Sequence, residues 1–288
     1  MSNRERAEIF DVAHGYTPLL LGELADERYL VSTSDQRIGR AMFVRGRRGE
    51  RQHVGLAIQV LDDHGVGPAS GRDLFVDVGA NIGTTTIPAV GTFGFARGVA
   101  LEPERENATL LRANLLLNGL QDRVRVLPVA GSSAPGPLTL ALHPSNSGGH
   151  RVVEAPISGT VSEACEAVTL NELVERGVIQ LDRLGLVWID AQGHEPDILA
   201  GASQILESGI PLVLEYQPSA LERSSAADAT EALIEHYDAM VDVRLAAEPG
   251  GSRAPRALSD LPALVDELSG PKGGRRLTDL LLLRLSPR

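Results

Sequence analysis

The 288-residue chain is nearly without lysine: Lys272 stands alone, and every other basic residue is an arginine. That scarcity excludes two chemistries. A Walker-type phosphate loop needs a lysine directly after its glycine, and Schiff-base catalysis needs a lysine desolvated in a core, whereas Lys272 lies in the polar run GPKGGRR. Cysteine is as scarce. With Cys165 alone, neither an intrachain disulfide nor a cysteine zinc cluster can form, which agrees with a reducing cytoplasm. Its expected role is a small buried hydrophobe rather than a nucleophile. No apolar stretch reaches the roughly 18 residues of a membrane span, and the opening MSNRERAEIFD is too acidic and polar for a signal peptide. A cytoplasmic protein with no membrane partner is the expectation. Positive charge is also in deficit, 27 basic against 38 acidic residues for a formal charge of −11, so no nucleic-acid partner is expected.

What is present is ordinary globular material, 43% hydrophobic and 23% charged, without internal repeats or heptads. Glycine and proline punctuate it at GVGPASGR (65–72), GSSAPGP (131–137), HPSNSGGH (143–150), EPGGSRAP (248–255) and GPKGG (270–274). Between these loops, short apolar runs at Leu74–Val78, Gly98–Leu101, Val124–Val129, Leu186–Ile189, Leu212–Leu214 and Leu280–Leu285 read as strands buried on both faces. Helical spacing recurs over Glu104–Asn118, stopped by Gly119, and over Glu195–Ser208, with Pro196 in its first turn and Gly209 after its end. Further on, a helix over Ala227–Tyr237 and a strand near Met240–Leu245 are expected. The class is α/β, a doubly wound, mostly parallel sheet whose ligands bind beyond the strands' carboxyl ends.

The first 70 residues fit this alternation less well and read as an N-terminal extension packed on a core domain of residues 71–288. Gly55–Leu61 begins either a helix or a strand. Arg37, Arg40, Arg45, Arg47, Arg48 and Arg51 form a local basic segment, read as a solvated face in preference to an anion site.

LFVDVGANIGTTT (74–86) carries the strongest chemical signal. An apolar strand ends in Asp77, and Gly79 and Gly83 flank Ala80, Asn81 and Ile82 before Thr84 leads towards a helix. Glycines let a ligand approach the backbone closely, and free N–H groups at a helix start favour a carboxylate. This is not the GxGxxG of dinucleotide enzymes. The acid inside the turn opposes a pyrophosphate and suits an ammonium group, and S-adenosylmethionine carries a carboxylate, an ammonium and a sulfonium without phosphate. Glu102, ending the next apolar run GVALEP, is placed to accept hydrogen bonds from both ribose hydroxyls.

DVGANIG, ALEPERENATLLRANLLLNGL, VTLNELVERG, LVWIDAQGHEPDILAGASQIL and PLVLEYQP, in that order across residues 73–217, resemble the FkbM family of S-adenosylmethionine-dependent methyltransferases. The resemblance implies a class I fold, a seven-stranded sheet ordered 3-2-1-4-5-7-6 with an antiparallel last strand. It also implies O-methylation of a hydroxylated small molecule, a polyketide, sugar or other secondary metabolite. Carried over position by position, Asp77, Gly79, Ala80, Asn81, Gly83 and Thr84 would surround the methionine end, Glu102 the ribose, and Val129–Gly131, with Ala130 at its centre, the adenine. Asp190, closing the fourth strand, would face the methyl and the acceptor. Trp188 and Gln192 depart from the family's usual lysine and glutamate, so no carboxylate role carries over to position 192.

Displacement at the methyl carbon requires the acceptor hydroxyl to lose its proton, and a base near neutrality suits best. His194 leads, with Asp190 and His150 as the other candidates. His143, Asn146 and Glu215 are the acceptor-side candidates, the first two in the HPSNSGGH loop and the last after the fifth strand. A bound metal is not expected; the lesser alternative is a divalent ion on Asp190, His194 and Glu215. An N-methyltransferase of a small amine or peptide, and a non-catalytic nucleotide-binding subunit, remain as alternatives. The sequence leaves a homodimer open.

Overall fold

The computed structural model describes residues 1–24, 26–46, 49–217, 233–269 and 277–286. Helix α1 (Asn3–Ala13) opens with a capping box in which the Ser2 hydroxyl accepts the Glu5 N–H and Glu5 accepts that of Ser2. An antiparallel hairpin follows, β1 (Leu19–Leu24) with β2 (Glu27–Ser32), then α2 (Ile38–Arg45) and α3 (Gly49–Asp63). The segment left open between helix and strand is helical because Val54, Ala57, Ile58 and Leu61 fall on one face, and all four are buried.

The central sheet begins with β3 (Leu74–Val78). After α4 (Thr86–Gly91) come β4 (Arg97–Leu101), α5 (Arg105–Leu117) and β5 (Val124–Leu127). A second sheet is then built from β6 (Ala130–Gly131), β7 (Gly136–Ala141), β8 (Arg151–Val153) and β9 (Ser162–Val168), in the order β6-β9-β7-β8. Strand β9 was not anticipated from SEACEAV. Only Cys165 and Ala167 of that run are fully buried, and its glutamates mask the alternation. Cys165 packs with Ala130, Leu140 and Ala167, and burial pushes its thiol up to about 11, so it sits as an inert hydrophobe.

The chain returns through α6 (Leu170–Glu175) to β10 (Leu184–Ile189), α7 (Glu195–Ala200), α8 (Ser203–Ser208), β11 (Leu212–Tyr216), β12 (Ala239–Asp242), β13 (Arg256–Ala257) and β14 (Thr278–Leu283). The large sheet is ordered β13-β12-β14-β11-β10-β3-β4-β5. Strands β5, β4, β3, β10 and β11 are parallel, and β14 lies antiparallel between β11 and β12. Counted without β13, this is the 3-2-1-4-5-7-6 order. The eighth strand, β13, is a two-residue edge addition.

Both faces of the sheet are covered. Phe75, Leu186 and Trp188 point into one apolar cluster, while Leu74, Val76, Val187 and Ile189 point into the other. Each fully buried Leu or Ile contributes about 1.5–3 kcal/mol. The first cluster also takes in Phe10, Tyr29, Met42 and Leu61. Asn114 and Asn118 of α5 complete the hydrogen bonding of β2's outer edge at Leu30 and Arg28.

Two local expectations change. The helix read over Glu195–Ser208 is broken at Gly201–Ala202, because Gly201 packs on the Ser132 carbonyl, where a Cβ would come within 2.2 Å. The strand read near Met240–Leu245 stops at Asp242, whose side chain caps the short helix Val243–Ala246. Of the helix expected over Ala227–Tyr237, residues 233–236 are helical and 227–232 lie outside the described residues, as do the GPKGG loop with Lys272 and Arg47 and Arg48. Among the described residues no helix is long and apolar enough to cross a membrane.

Candidate functional site

The carboxyl ends of β3, β4, β10 and β11 open into one cavity of about 520 Å³, a size typical of small-molecule sites. From β3 and its turn it is lined by Asp77, Gly79, Asn81 and Thr84, from β4 by Glu102, and from the segment after β5 by Val129, Ala130 and Gly131. Asp190, Gln192 and His194 follow β10, and Glu215 comes from β11. Asn146 and His150 of the HPSNSGGH loop close one side. Ala80 and Gly83 face the core instead: Ala80 is buried, and a Cβ on Gly83 would meet Ile87 and Leu111 at 2.9 Å. His143 is exposed and outside the cavity wall.

The turn after β3 is held by its own hydrogen bonds. Gly79, Asn81 and Gly83 all have positive φ, 89°, 50° and 99°. Gly79 is required twice over, since a Cβ there would stand 2.0 Å from the Asp190 carbonyl oxygen. The N–H groups of Gly79 and Ala80 donate to the Leu101 carbonyl, that of Asn81 to Glu102 Oε2, that of Ile82 to Asn81 Oδ1, and that of Gly83 to the Ala80 carbonyl. The expected row of free donors for a carboxylate is therefore absent from residues 79–83; helix α4 starts only at Thr86. What the turn offers is acid. Asp77 accepts the hydroxyls of Thr85 and Thr86, and Glu102 accepts the Asn81 N–H at 2.7 Å and the Glu104 N–H at 3.0 Å. Burial pushes Asp77 up to about 6 and Glu102 up to about 7. Each Glu102 oxygen keeps a lone pair beyond these bonds.

A second acidic group lines the same cavity from the neighbouring strands β10 and β11. Gln192, at φ 53°, donates from Nε2 to Asp190 Oδ1 at 2.8 Å and to Glu215 Oε2 at 3.2 Å. The glutamine at the departing position thus bridges two carboxylates. Glu195 folds back to accept the N–H groups of Ala191 and Gly193, bracing the loop, and burial pushes it up to about 7. Burial, then Asp190 and Glu195, raises Glu215 strongly despite Arg244, whose Nη2 lies 3.4 Å from it and 2.8 Å from Asp279. His53 of α3 completes this chain, its Nδ1 3.1 Å from Asp279. Burial works against the Asp279 charge, but His53 and Arg244 outweigh it and hold its carboxyl below the usual range. The ion site imagined on Asp190, His194 and Glu215 is not what assembles. Asp190, Glu195 and Glu215 bring one oxygen each within 4.8 Å of one another, and His194 is not in the group.

These acids set a pH dependence. Asp77, Glu102 and Glu195 bind a proton more tightly folded than unfolded, so their contribution is complete below the ordinary carboxylate range and is lost as pH rises through about 6 to 7. Asp279 acts oppositely, below that window. The ligand-free protein is expected to melt at a higher temperature near pH 5.5 than near pH 8, measured by scanning calorimetry. A flat profile across that interval would contradict the protonation assigned to these three acids.

The histidines differ in what they offer. His194 Nε2 lies 3.0 Å from the Ser132 hydroxyl and its Nδ1 3.3 Å from Asp197. His150 accepts the His143 N–H at Nδ1, at 2.9 Å, so its proton is on Nε2 and the ring presents a donor to the cavity. Burial lowers its affinity for a second proton. That geometry occupies the nitrogen of His150 that a base would use. Ser147 ties the loop down, donating to Asp35 and Asn81.

Some lining residues went unrecognised in the sequence. Arg244 follows β12, in a stretch read as strand. Arg37, Ile38, Ala41 and Arg45 of the N-terminal extension form a wall of the same cavity, and their helical spacing was the signal available.

Residues 77–241, more than half of the chain, match the methyltransferase FkbM domain. The chain belongs to the FkbM methyltransferase family. The 2-O-methyltransferase NoeI of Sinorhizobium fredii (strain NBRC 101917 / NGR234) is 26% identical over 163 residues, 51% of this chain and 65% of NoeI. The match thus spans just under two thirds of that relative's length. Among solved structures, methyltransferase FkbM from Methylobacillus flagellatus KT aligns at 17% identity and a TM-score of 0.36, over 50% of this chain and 32% of that one. Cofactor-bound Rv0187 from MTB aligns at 16% identity and a TM-score of 0.38, over 82% and 81%. The strand order, rather than these superpositions, establishes the fold. Membership of the FkbM family implies S-adenosylmethionine as methyl donor. The donor set fits it: Asp77 and Asp190 suit a cationic ligand, and Glu102 has acceptor capacity for a diol.

Proposed function

We propose that this FkbM-family protein transfers a methyl group from S-adenosylmethionine to a hydroxyl of a small molecule. The observation that carries the reading is the lining of one cavity by both the Asp77–Glu102 acids and the Asp190–Gln192–Glu215 group. When bound, S-adenosylmethionine supplies a methyl group on a positively charged sulfur. Glu102 holds the ribose hydroxyls with its remaining lone pairs, and Asp77 and Asp190 set a negative potential for the cationic end. Asp190 would take the acceptor's proton, leaving the oxygen free to receive the methyl group that the cofactor would supply. Glu215, with its raised proton affinity, stays protonated, and Gln192 keeps Asp190 oriented by donating to both. His194 has a neighbour at each ring nitrogen and shapes the wall. The 2-O-methyltransferase name of NoeI supports oxygen as the acceptor atom.

Calorimetric titration with S-adenosylmethionine, S-adenosylhomocysteine and NAD tests the cofactor. Binding of both adenosyl compounds is expected; binding of NAD alone, or of none, would end the proposal. Glu102→Gln is expected to weaken S-adenosylhomocysteine by roughly ten- to a hundredfold, the loss of about 1.5–3 kcal/mol from hydrogen bonds to a charged acceptor. A labelled-methyl assay against hydroxylated metabolites, with amines as the contrasting panel, tests the acceptor atom. Transfer to amines alone would replace O-methylation with N-methylation.

A further inference from the structure

On a chain with an excess of acid, three exposed arginines line the cavity without acidic partners. Arg37, Ala41 and Arg45 recur every four residues, which puts them in one row along α2, and all three line the cavity. Arg151 of β8 lines it as well. Among the described residues, none of these three arginines has a side-chain hydrogen bond or ion pair. Glu50, the acid on the same wall, has a partner of its own. Arg244, deeper in, is committed to Glu215 and Asp279. Guanidinium groups are planar, permanently charged forks that match carboxylate, phosphate and sulfate oxygens two at a time.

We propose that the methyl acceptor carries an anionic group, a carboxylate, phosphate or sulfate, which Arg45 and Arg151 receive at the solvent side of the cavity. The proposal rests on the methyltransferase reading and names its substrate class. S-adenosylmethionine has a carboxylate of its own, and the turn at residues 79–83 has no spare N–H for it. That carboxylate cannot account for the whole set. Eight positions separate Arg37 from Arg45, about 12 Å of helical rise, so a cofactor carboxylate held at the Arg37 end, where Ser147 ties Asp35 to Asn81, leaves Arg45 and Arg151 to another anion. The acids at the strand ends suit cationic and hydroxyl groups, while the arginines select the charge on the acceptor.

Inorganic phosphate is the probe, titrated calorimetrically into the protein with and without saturating S-adenosylhomocysteine. Phosphate is expected to bind the loaded protein and to weaken by about tenfold or more in the Arg45→Ala/Arg151→Ala double variant. S-adenosylhomocysteine affinity should stay within about twofold. In the labelled-methyl assay, matched acceptors such as a hexose and its phosphate ester should differ in favour of the anionic member, and the double variant should lose that preference. Phosphate that fails to bind, or binds wild type and variant alike, overturns the proposal. So does a variant that loses S-adenosylhomocysteine with phosphate unchanged, which assigns the arginines to the cofactor's carboxylate. If S-adenosylhomocysteine does not bind even the wild type, the methyltransferase reading falls, and phosphate titrated into the free protein still judges the arginine row separately.

Discussion

Asp190→Asn is expected to lower methyl transfer by about 10²–10⁴-fold, with S-adenosylhomocysteine still bound within a few-fold of wild type. The substitution keeps the shape of the side chain and an oxygen to accept from Gln192, and removes the carboxylate proposed to take the acceptor's proton. Its loss also relieves Asp77 and Glu215, both of which feel the Asp190 charge, so their proton affinities should fall. His194→Ala is the informative contrast. Its ring spans Ser132 and Asp197, so its removal should cost chiefly stability, with turnover per folded molecule near wild type. Unchanged turnover in Asp190→Asn removes Asp190 as the base; a large loss confined to His194→Ala transfers that role to the imidazole.

Gly79→Ala should destabilise the protein by about 2–4 kcal/mol in urea denaturation and abolish cofactor binding. Two costs coincide. The backbone is at φ 89°, and the added Cβ would stand 2.0 Å from the Asp190 carbonyl oxygen. Neither side can give way freely, because the Gly79 N–H is bonded to the Leu101 carbonyl and the Asp190 N–H to the Val78 carbonyl. Gly119 supplies the control: φ there is 68°, and an added Cβ meets nothing within 4 Å. Gly119→Ala should cost about 1 kcal/mol, the conformational part alone. Equal losses at the two positions would mean that the turn moves aside.

What the sequence disclosed and what it withheld follow the range of the interactions. The buried strands and the DVGANIG turn are local patterns, readable from apolar continuity and from glycines next to an acid. Helix α5 was readable because its cap Glu104 and its stop at Gly119 are both encoded within the segment. The reason Gly79 must be glycine is not local at all; it is the Asp190 carbonyl, brought beside it by the pairing of β3 with β10. Gln192 illustrates the same limit. In the sequence it was a missing carboxylate, and in the fold it is an amide donating to two carboxylates that come together only when β10 and β11 pair. The turn's N–H groups looked available to a ligand because their partners, Leu101 and Glu102, arrive from the next strand. The arginines of residues 37–51 were visible as a basic run, but whether such a run faces water or a cavity depends on where α2 packs.

The wall formed by α2 lies outside residues 77–241, the stretch shared with the family, whereas Asp77, Glu102 and Asp190 lie inside it. On the proposed reading, acceptor binding therefore draws on both parts of the chain, with Arg45 outside the matched stretch and Arg151 inside it. Two proteins alike across the shared stretch can then differ in acceptor preference, and exchanging only the first 63 residues between them should shift that preference while S-adenosylhomocysteine affinity stays close to unchanged.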